Sequence, residues 1–225
     1  MRILEDSIKR IFVAFSGGAS LARYLMEHVD LGHDPTYGRD YIIVGGFTDK
    51  ADASGIDFFR EHDIPVIVGT FEEFKQNNDT PTPWKDYFAY YGQMIKTHYD
   101  PDLIFCCGFM KVIKKPFFDL FPGIILNVHP ADLRITDPGT GKRLYIGGKA
   151  VELAYNAREP YMYSTVNFMI EEIDAGEIVC VSEPYEVDYD NQTWEEVQSE
   201  MKYVCDGPAG IKAMKLFCCG EYPFN

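Results

Sequence analysis

What the sequence lacks narrows the possible functions before any motif is considered. The chain of 225 residues contains no run of about 18 apolar residues, so no transmembrane helix and no membrane partner are predicted. Basic residues are few, because 21 lysines and arginines stand against 35 aspartates and glutamates, for a formal net charge of −14. A surface this acidic repels phosphate backbones, which argues against a nucleic-acid partner. An anionic ligand would therefore need a local cluster of donors.

Metal-binding and secretion signals are also missing. The six cysteines include two adjacent pairs but no C-x-x-C spacing, which fits neither a zinc site nor a disulfide framework. We interpret them as reduced core residues and expect no metal. The opening stretch "MRILEDSIKRIFVAF" has charged residues throughout its first ten positions, so it does not match a signal peptide. The expected location is the cytoplasm.

What is present begins with an alternation of strands and helices. Hydrophobic residues make up 46% of the chain, enough for a packed core. Apolar runs predict strands at residues 10–15, 41–47, 64–69, 102–109 and 123–129. Helical patterns between them cover residues 21–29, 51–63 and 83–99. This alternation predicts parallel strands with right-handed crossovers, and the continuous apolar runs predict helices on both faces of the sheet.

The pattern changes after residue 145. Residues 147–157 are predicted to be helical, and residues 164–187 are predicted to form two antiparallel strands around an Asp-Ala-Gly turn. Residues 191–220 are mostly helical, with Asn191 or Thr193 as the cap and an interruption at Gly207-Pro208. No linker divides the chain, so we expect one domain over residues 1–225, with halves of about 1–100 and 101–225.

The stretch "SGGAS", residues 16–20, follows the first strand and opens a helix. Glycines let a ligand approach the backbone, and the free N–H groups at a helix start favour an anion. A tight turn with Ser20 as the cap explains the same residues equally well. The stretch is not G-x-G-x-x-G, and no acidic residue ends the second strand in the usual ribose position, so a dinucleotide site is disfavoured.

Three polar residues are candidates for catalysis. Asn127 and His129 lie at the carboxyl end of the fifth strand, where ligands bind in open parallel sheets, and their spacing puts both side chains on one side of the strand. Asp174 lies in "EEIDAGEIV" and fits an ordinary turn as well. Together an amide, an imidazole and a carboxylate suit acyl transfer. No serine or cysteine stands in a nucleophile motif, so direct transfer is expected.

The order of five motifs resembles the folate-dependent formyltransferases, and within that family the phosphoribosylglycinamide formyltransferases. "SGGAS" is similar to the family's Ser-Gly-Asn-Gly-Ser loop, and "LNVHPADL" to its Asn-x-His-Pro-Ser-Leu strand. Three further stretches resemble family segments in the same order: "DKADASGIDFFREHDIPV", "PDLIFCCGFMKVI" and "STVNFMIEEIDAGEIV". The match is collinear from about residue 11 to residue 188.

The resemblance implies a Rossmann-like formyltransferase fold, with a mostly parallel central sheet, flanking helices and a late antiparallel hairpin. It implies 10-formyl-tetrahydrofolate as the formyl donor and a primary amine as the acceptor. Asn127 would hydrogen-bond the formyl oxygen, and His129 would stabilise the oxyanion. Asp174 would hold His129 protonated and drain the amine proton through water, because a carboxylate beside an imidazole favours the charged ring.

The resemblance also implies binding residues. The folate pocket would be formed by two short segments: Met110, Lys111, Val112 and Ile113, and Ile170, Glu171, Glu172 and Ile173. The acceptor's phosphate would lie against Gly18, Ala19, Ser20 and Leu21.

The chain departs from the family in two places. Ala19 replaces the second loop glycine and Leu21 replaces an asparagine. After His129-Pro130 the family has a short Leu-Leu-Pro-x-Tyr-x-Gly-x-His run, whereas this chain has a longer loop in which only Pro138-Gly139 match. Three cations in that loop are candidates for holding an anionic acceptor, with a solvated loop as the alternative: Arg134, Lys142 and Arg143. The late helix does not align with the family's substrate-binding glutamate, and no residue is assigned there.

Several functions stay open at this point. Phosphoribosylglycinamide is the preferred candidate for the acceptor, and a sugar-nucleotide amine or another small amine is the second candidate. Methionyl-tRNA is disfavoured by the short, acidic chain, and formyl-tetrahydrofolate hydrolysis by the absence of that family's regulatory domain. A non-catalytic folate- or nucleotide-binding module is the rival from another class, and a nicotinamide oxidoreductase ranks third. The oligomeric state cannot be inferred from the sequence.

Overall fold

The computed structural model describes residues 8–28 and 34–221. Its centre is a seven-stranded sheet. The strands are β1 Lys9–Phe15, β2 Tyr41–Thr48, β3 Val66–Val68, β4 Leu103–Cys107, β5 Ile125–His129, β6 Thr165–Phe168 and β7 Ile178–Val181. They lie in the order β3-β2-β1-β4-β5-β6-β7. Strands β1 to β5 pair in parallel, and β6 runs antiparallel to both of its neighbours. The predicted mostly parallel sheet with a late antiparallel hairpin is confirmed.

Eight α-helices flank the sheet in the described residues. They are α1 Ser20–Glu27, α2 Gly55–Glu61, α3 Phe71–Asn77, α4 Pro83–His98, α5 Lys115–Leu120, α6 Ala150–Asn156, α7 Trp194–Met201 and α8 Gly207–Cys219. A 3₁₀ turn at Gly147–Lys149 precedes α6. The sequence pattern missed α3 and α5, which have 7 and 6 residues, because so short a helix shows too few turns to reveal its period. Residue 29, the end of the first predicted helix, lies outside the described residues.

Helices cover both faces of the sheet, as the continuous apolar strands predicted. Alternate side chains of β1 point to opposite faces. Ile11, Val13 and Phe15 lie in one core with residues of α1, α2 and α8. Phe12 and Ala14 lie in a second core with residues of α3, α4 and α5. The central strand is thus buried on both sides, which fixes its position in the sheet.

A third, smaller core lies beside the end of β5. It joins the segment after β5 to α6 and α7 through buried residues that include Tyr145, Val151, Val197 and Met201. This core anchors the long segment that follows His129. The segment is therefore packed against helices where it leaves the sheet.

The late helical stretch is continuous rather than broken at Gly207-Pro208. A π-helical turn, Lys202–Asp206, connects α7 directly to α8, and Pro208 lies in the first turn of α8, where a missing N–H costs little. Thr193, and not Asn191, caps α7 in a capping box with Glu196. None of the helices in the described residues is long and apolar enough to cross a membrane.

Candidate active site

A cavity of about 260 Å³ opens at the carboxyl ends of β4 and β5. β1 lies between β2 and β4, so the strand order reverses there, and ligands of open parallel sheets bind beside such a reversal. The cavity is lined by the segment after β4, the end of β5, the residues before and within α6, and the β6–β7 connection. The fold therefore provides a concave site at the edge of the sheet where ligands are expected.

The three polar residues predicted from the sequence meet in this cavity. Asn127 Nδ2 donates to Asp174 Oδ1 at 3.4 Å, and His129 Nδ1 lies 3.5 Å from Asp174 Oδ2. The side chains of His129 and Asp174 are 5% and 10% exposed, so water screens this pair only weakly. The long, weak contacts leave room for a ligand to draw on the same groups.

The second nitrogen of His129 is also occupied. Nε2 lies 2.7 Å from the carbonyl oxygen of Tyr145. A carbonyl only accepts hydrogen bonds, so Nε2 carries the proton of the neutral ring. A further proton on Nδ1 would point at the Asp174 carboxylate. The imidazolium form therefore has an acceptor for each of its N–H groups, which suits a proton-carrying role.

The turn that carries Asp174 has restricted geometry. Asp174 has a φ of 51°, in the left-handed region. The N–H of Gly147 donates to its Oδ2 at 2.7 Å, which fixes the carboxylate from the other side of the cavity. Gly176 has no room for a side chain, since a Cβ would stand 1.8 Å from the carbonyl oxygen of Phe168. The turn thus requires glycine at position 176, and the Gly147 N–H fixes the carboxylate of Asp174.

The predicted folate-binding segments line the cavity. Met110, Lys111, Val112 and Ile113 all do so, as do Ile170, Glu171 and Ile173, whereas Glu172 does not. Several large apolar side chains are unusually exposed: Met110 61%, Val112 45%, Ile170 47% and Ile173 49%. Apolar surface gathered around a cavity is typical of a ligand site. Ile113 differs, because it is 4% exposed and packs in the second core, so it is a core residue at the edge of the cavity.

A buried polar network that the sequence did not reveal supports the segment after β4. Ser16 Oγ donates to Asp49 Oδ1 at 2.5 Å and accepts from the Met110 N–H at 2.9 Å. Lys111 Nζ lies 3.6 Å from the other oxygen of Asp49. A buried carboxylate needs such partners. The network ties the cavity wall to the ends of β1 and β2.

The predicted phosphate loop borders the cavity without lining it. The Ser16 N–H donates to the Gly108 carbonyl oxygen at 3.2 Å, which places the loop beside the cavity wall. Ala19 has a φ of 51°, which glycine adopts more easily. The Leu21 N–H donates to Cys107 Sγ at 3.2 Å, so this donor is already occupied. Within the described residues, none of the four predicted phosphate-binding positions is part of the cavity lining.

The three loop cations do not converge on one point. Arg134 forms a two-pronged ion pair with Asp132, with Nε–Oδ1 at 2.8 Å and Nη2–Oδ2 at 2.7 Å. Arg143 reaches the site, where its Nη1 donates to the carbonyl oxygens of Asp174 and Gly176. Lys142 is exposed. The idea that all three hold an anion stays a prediction.

Four contributors were missed by the sequence reasoning. Tyr145 and Gly147 contact the catalytic candidates, and their spacing is the same as that of the Tyr-x-Gly part of the family's run. Pro138 and Gly139, which were matched to that run from the sequence, are exposed. "YIG" in the sequence was a usable signal. Asn167 is paired with Asn127 across β5 and β6, and its buried Oδ1 has no hydrogen-bond donor within the described part of the chain. Gln198 of α7 also lines the cavity.

Metal and cysteine chemistry find no support in the described residues. No group of three or more histidine, cysteine, aspartate or glutamate side chains there is placed to hold a metal ion. All six cysteines are free. Four are buried, and burial raises the pKa of the Cys106 thiol to about 12 and that of Cys107 to about 11. Such thiols stay protonated, which makes them inert, while Cys219 is exposed.

The fold and the site together define a doubly wound α/β protein with a cavity at the carboxyl ends of its strands, lined by an amide, an imidazole and a carboxylate. A family model described as Formyl transferase matches residues 9–204. The chain belongs to the formyl transferase family.

Individual relatives agree with this assignment. The chain is 29% identical over 181 residues to a chloroplastic phosphoribosylglycinamide formyltransferase of Arabidopsis thaliana, covering 79% of this chain and 56% of the relative. It is 28% identical over 172 residues to the phosphoribosylglycinamide formyltransferase of Haemophilus influenzae, covering 76% and 71%. The chain thus spans little more than half the length of the plant relative.

A solved structure shows the same fold. The crystal structure of glycinamide ribonucleotide transformylase 1 from Symbiobacterium toebii matches with a TM-score of 0.75 and 21% identity, covering 95% of this chain and 89% of that one. The predicted family and fold class are therefore confirmed.

Proposed function

We propose that the chain transfers a formyl group from 10-formyl-tetrahydrofolate to a primary amine, and that phosphoribosylglycinamide is the preferred acceptor. The observation that carries this proposal is the meeting of Asn127, His129 and Asp174 at one wall of a cavity with an apolar rim. In the reaction the amine nitrogen attacks the formyl carbon, and the bond from that carbon to N10 of the folate breaks. The amine loses one proton, and N10 gains one when its bond to the formyl carbon breaks, so that tetrahydrofolate is released.

The side chains have separate roles in this proposal. Asn127 Nδ2 exchanges its weak contact with Asp174 for a hydrogen bond to the formyl oxygen, which gains negative charge in the tetrahedral intermediate. The imidazolium of His129 adds positive charge beside that oxygen. Asp174 stabilises the imidazolium and accepts the amine proton through water. Since each interaction strengthens as charge develops, the trio favours the transition state over the bound substrates.

The apolar rim supports folate as the donor. A pterin ring is flat, and exposed methionine, valine and isoleucine side chains offer it contacts on both sides of the cavity. Lys111 lies at the same wall, 5.6 Å from the ring centre of Trp84, and presents a positive charge to an anionic folate. Lys111 is also paired with Asp49, but its side chain is 36% exposed, so it still contributes positive potential to the cavity wall.

The acceptor assignment is supported by the relatives named for phosphoribosylglycinamide. The backbone donors of the predicted phosphate loop support a second candidate for the acceptor, another small amine such as a sugar-nucleotide amine. The Leu21 N–H is bound to Cys107 Sγ, so this loop offers one donor fewer than its motif suggested. One sheet spans both predicted halves, which supports one domain over residues 1–225. The cytoplasmic location stays a prediction.

The test is incubation of the protein with 10-formyl-tetrahydrofolate and a panel of amines, followed by mass spectrometry. Phosphoribosylglycinamide should gain the mass of one formyl group, with tetrahydrofolate formed in equal amount. Formylation of another amine alone would select the second candidate. Donor binding without any formylated product would leave only a folate-binding module. Release of formate without product would indicate hydrolysis.

A further inference from the structure

The β6–β7 connection, residues 169–177, is held in place mainly from outside. Within it, the Ala175 N–H donates to the Glu172 carbonyl oxygen at a long 3.4 Å. Ile170 and Ile173 face the cavity, half-exposed, and provide little packing. Asp174 has the left-handed φ of 51°, which costs an aspartate energy. A segment with these properties needs an external support to keep Asp174 in place.

Arg143 provides that support. One nitrogen of its guanidinium, Nη1, donates to the carbonyl oxygen of Asp174 and, at 2.9 Å, to that of Gly176. The two carbonyls lie on either side of Ala175, so a single charged group bridges the tightest part of the turn. Hydrogen bonds from a charged donor are stronger than neutral ones. Arg143 is itself half-buried, which limits competition from water.

Arg143 belongs to the loop that lengthens the segment after His129. Thr136 and Arg143 form an antiparallel bridge, so residues 134–144 make a small hairpin whose returning arm carries the arginine. The next residues along the chain contribute the Tyr145 carbonyl to His129 and the Gly147 N–H to Asp174. Five consecutive residues thus contact the Asp174 turn at three points and reach both titratable members of the trio.

We propose that Arg143 is a positioning residue, which acts through the Asp174 turn and does not contact either substrate. It holds the backbone of the turn, so that the carboxylate faces His129 and the two isoleucines face the donor. The proposal rests on the proposed formyl transfer. It replaces a separate role for Arg143 in gripping the acceptor's anion, since its Nη1 is already engaged by two backbone carbonyls.

The two roles predict different kinetics. Loosening the turn disturbs the donor site and Asp174 together, so the donor KM rises and kcat falls. Loss of a contact to the acceptor's anion raises the acceptor KM and leaves the donor site intact. A purely structural role lowers the melting temperature and leaves the kinetic constants of the folded protein unchanged.

The experiment compares Arg143→Met, which keeps the aliphatic stem, with Arg143→Lys, which keeps a charged donor. Arg60→Met is the matched control, because Arg60 forms an exposed ion pair with Asp57 on α2. Arg143→Met should raise the donor KM and lower kcat by about tenfold each, with the acceptor KM unchanged. The donor KM and kcat of Arg143→Lys should lie between those of Arg143→Met and wild type. Those of Arg60→Met should equal the wild-type values.

Hydrogen exchange gives a second measurement that does not depend on turnover. Amides of residues 170–177 should exchange faster in Arg143→Met than in wild type, with β1 and β4 unchanged. Wild-type kinetics and exchange in both Arg143 variants would overturn the proposal, and so would a rise confined to the acceptor KM. If Arg143→Met does not fold, Arg143→Lys decides by the same criteria. A wild-type protein inactive toward every amine would count against the proposed function, while the exchange comparison would still test the support of the turn.

Discussion

Asp174 is the residue on which most contacts of the site converge. Its carboxylate lies beside Asn127 and His129 and accepts from the Gly147 N–H, while its carbonyl accepts from Arg143. His129 is 4% exposed, so it is part of the packed interior as well as of the site. A substitution to alanine at either position would therefore mix lost chemistry with a cavity or an unpaired donor. Substitutions of the same shape give a cleaner test.

Asp174→Asn is such a substitution. The amide oxygen can still accept from Gly147, but the negative charge that stabilises the imidazolium is lost. We expect kcat to fall by roughly 10²-fold, as for a positioned acid–base group, with both KM values near wild type. Steady-state kinetics measure this, with Asp57→Asn at an exposed position of α2 as the control. Turnover within twofold of wild type would remove Asp174 from the mechanism.

At the scale of elements, the two segments that line the donor side differ in their packing. The segment after β4 is tied down by Ser16 and Asp49, and Ile113 is buried in the second core. The β6–β7 connection exposes Ile170, which is 47% accessible. Ile113→Asp would bury a charge and unfold the core, so it cannot report on folate binding. Ile170 can.

Ile170→Asp should weaken donor binding without unfolding the protein. It replaces an apolar wall of the cavity with a negative charge that repels the anionic donor, so the donor Kd should rise about tenfold or more. Leu153→Asp is the control, because Leu153 on α6 is similarly exposed, at 46%, and outside the cavity lining. Fluorescence titration with folate and thermal melting measure both effects. A donor Kd equal in the two variants would show that the connection does not bind folate.

The sequence predicted those elements and residues whose side chains carry a pattern. The five parallel strands appeared as apolar runs, and Asn127, His129 and Asp174 stood out because polar, titratable residues ended or linked strands. The contacts that position them involve backbone atoms: the Tyr145 carbonyl, the Gly147 N–H and the carbonyls bound by Arg143. Backbone groups are present at every residue, so only the folded geometry shows which of them point into the site.

At the scale of the whole molecule, one buried carboxyl makes stability depend on pH. Asp206 ends the π turn and turns its carboxyl inward, where Ser164 Oγ donates to it at 2.5 Å. Burial raises the pKa of Asp206 to about 6, although the hydrogen bond from Ser164 and the charge of Lys202 oppose the rise. The folded protein therefore holds this proton at pH values where the unfolded chain has released it.

The sign of the effect follows from that difference. The contribution of Asp206 to stability is full below the usual aspartate pKa near 4 and is lost as the pH rises through about 6. Its size is at most ~3 kcal/mol. Asp206→Asn should abolish this part of the pH dependence, so the stability advantage of wild type over the variant should grow between pH 7 and pH 4. Urea unfolding at several pH values measures it, and a parallel profile for the two proteins would show that Asp206 titrates normally.

The π turn between α7 and α8 has a consequence for the orientation of the two helices. An α-helix advances about 100° per residue, and a π turn takes up one extra residue, so each residue of α8 lies about 100° further back around the axis than a regular α-helix would place it. From Val197 to Ala213 a regular α-helix would turn its face by about 160°, and with the extra residue the turn is only about 60°. Val197, Met201 and Cys205 lie in the small core beside the site, and Ala209, Ala213 and Met214 lie in the core under the sheet. Deleting one residue between Lys202 and Asp206 would therefore turn α8 away from one of these two cores.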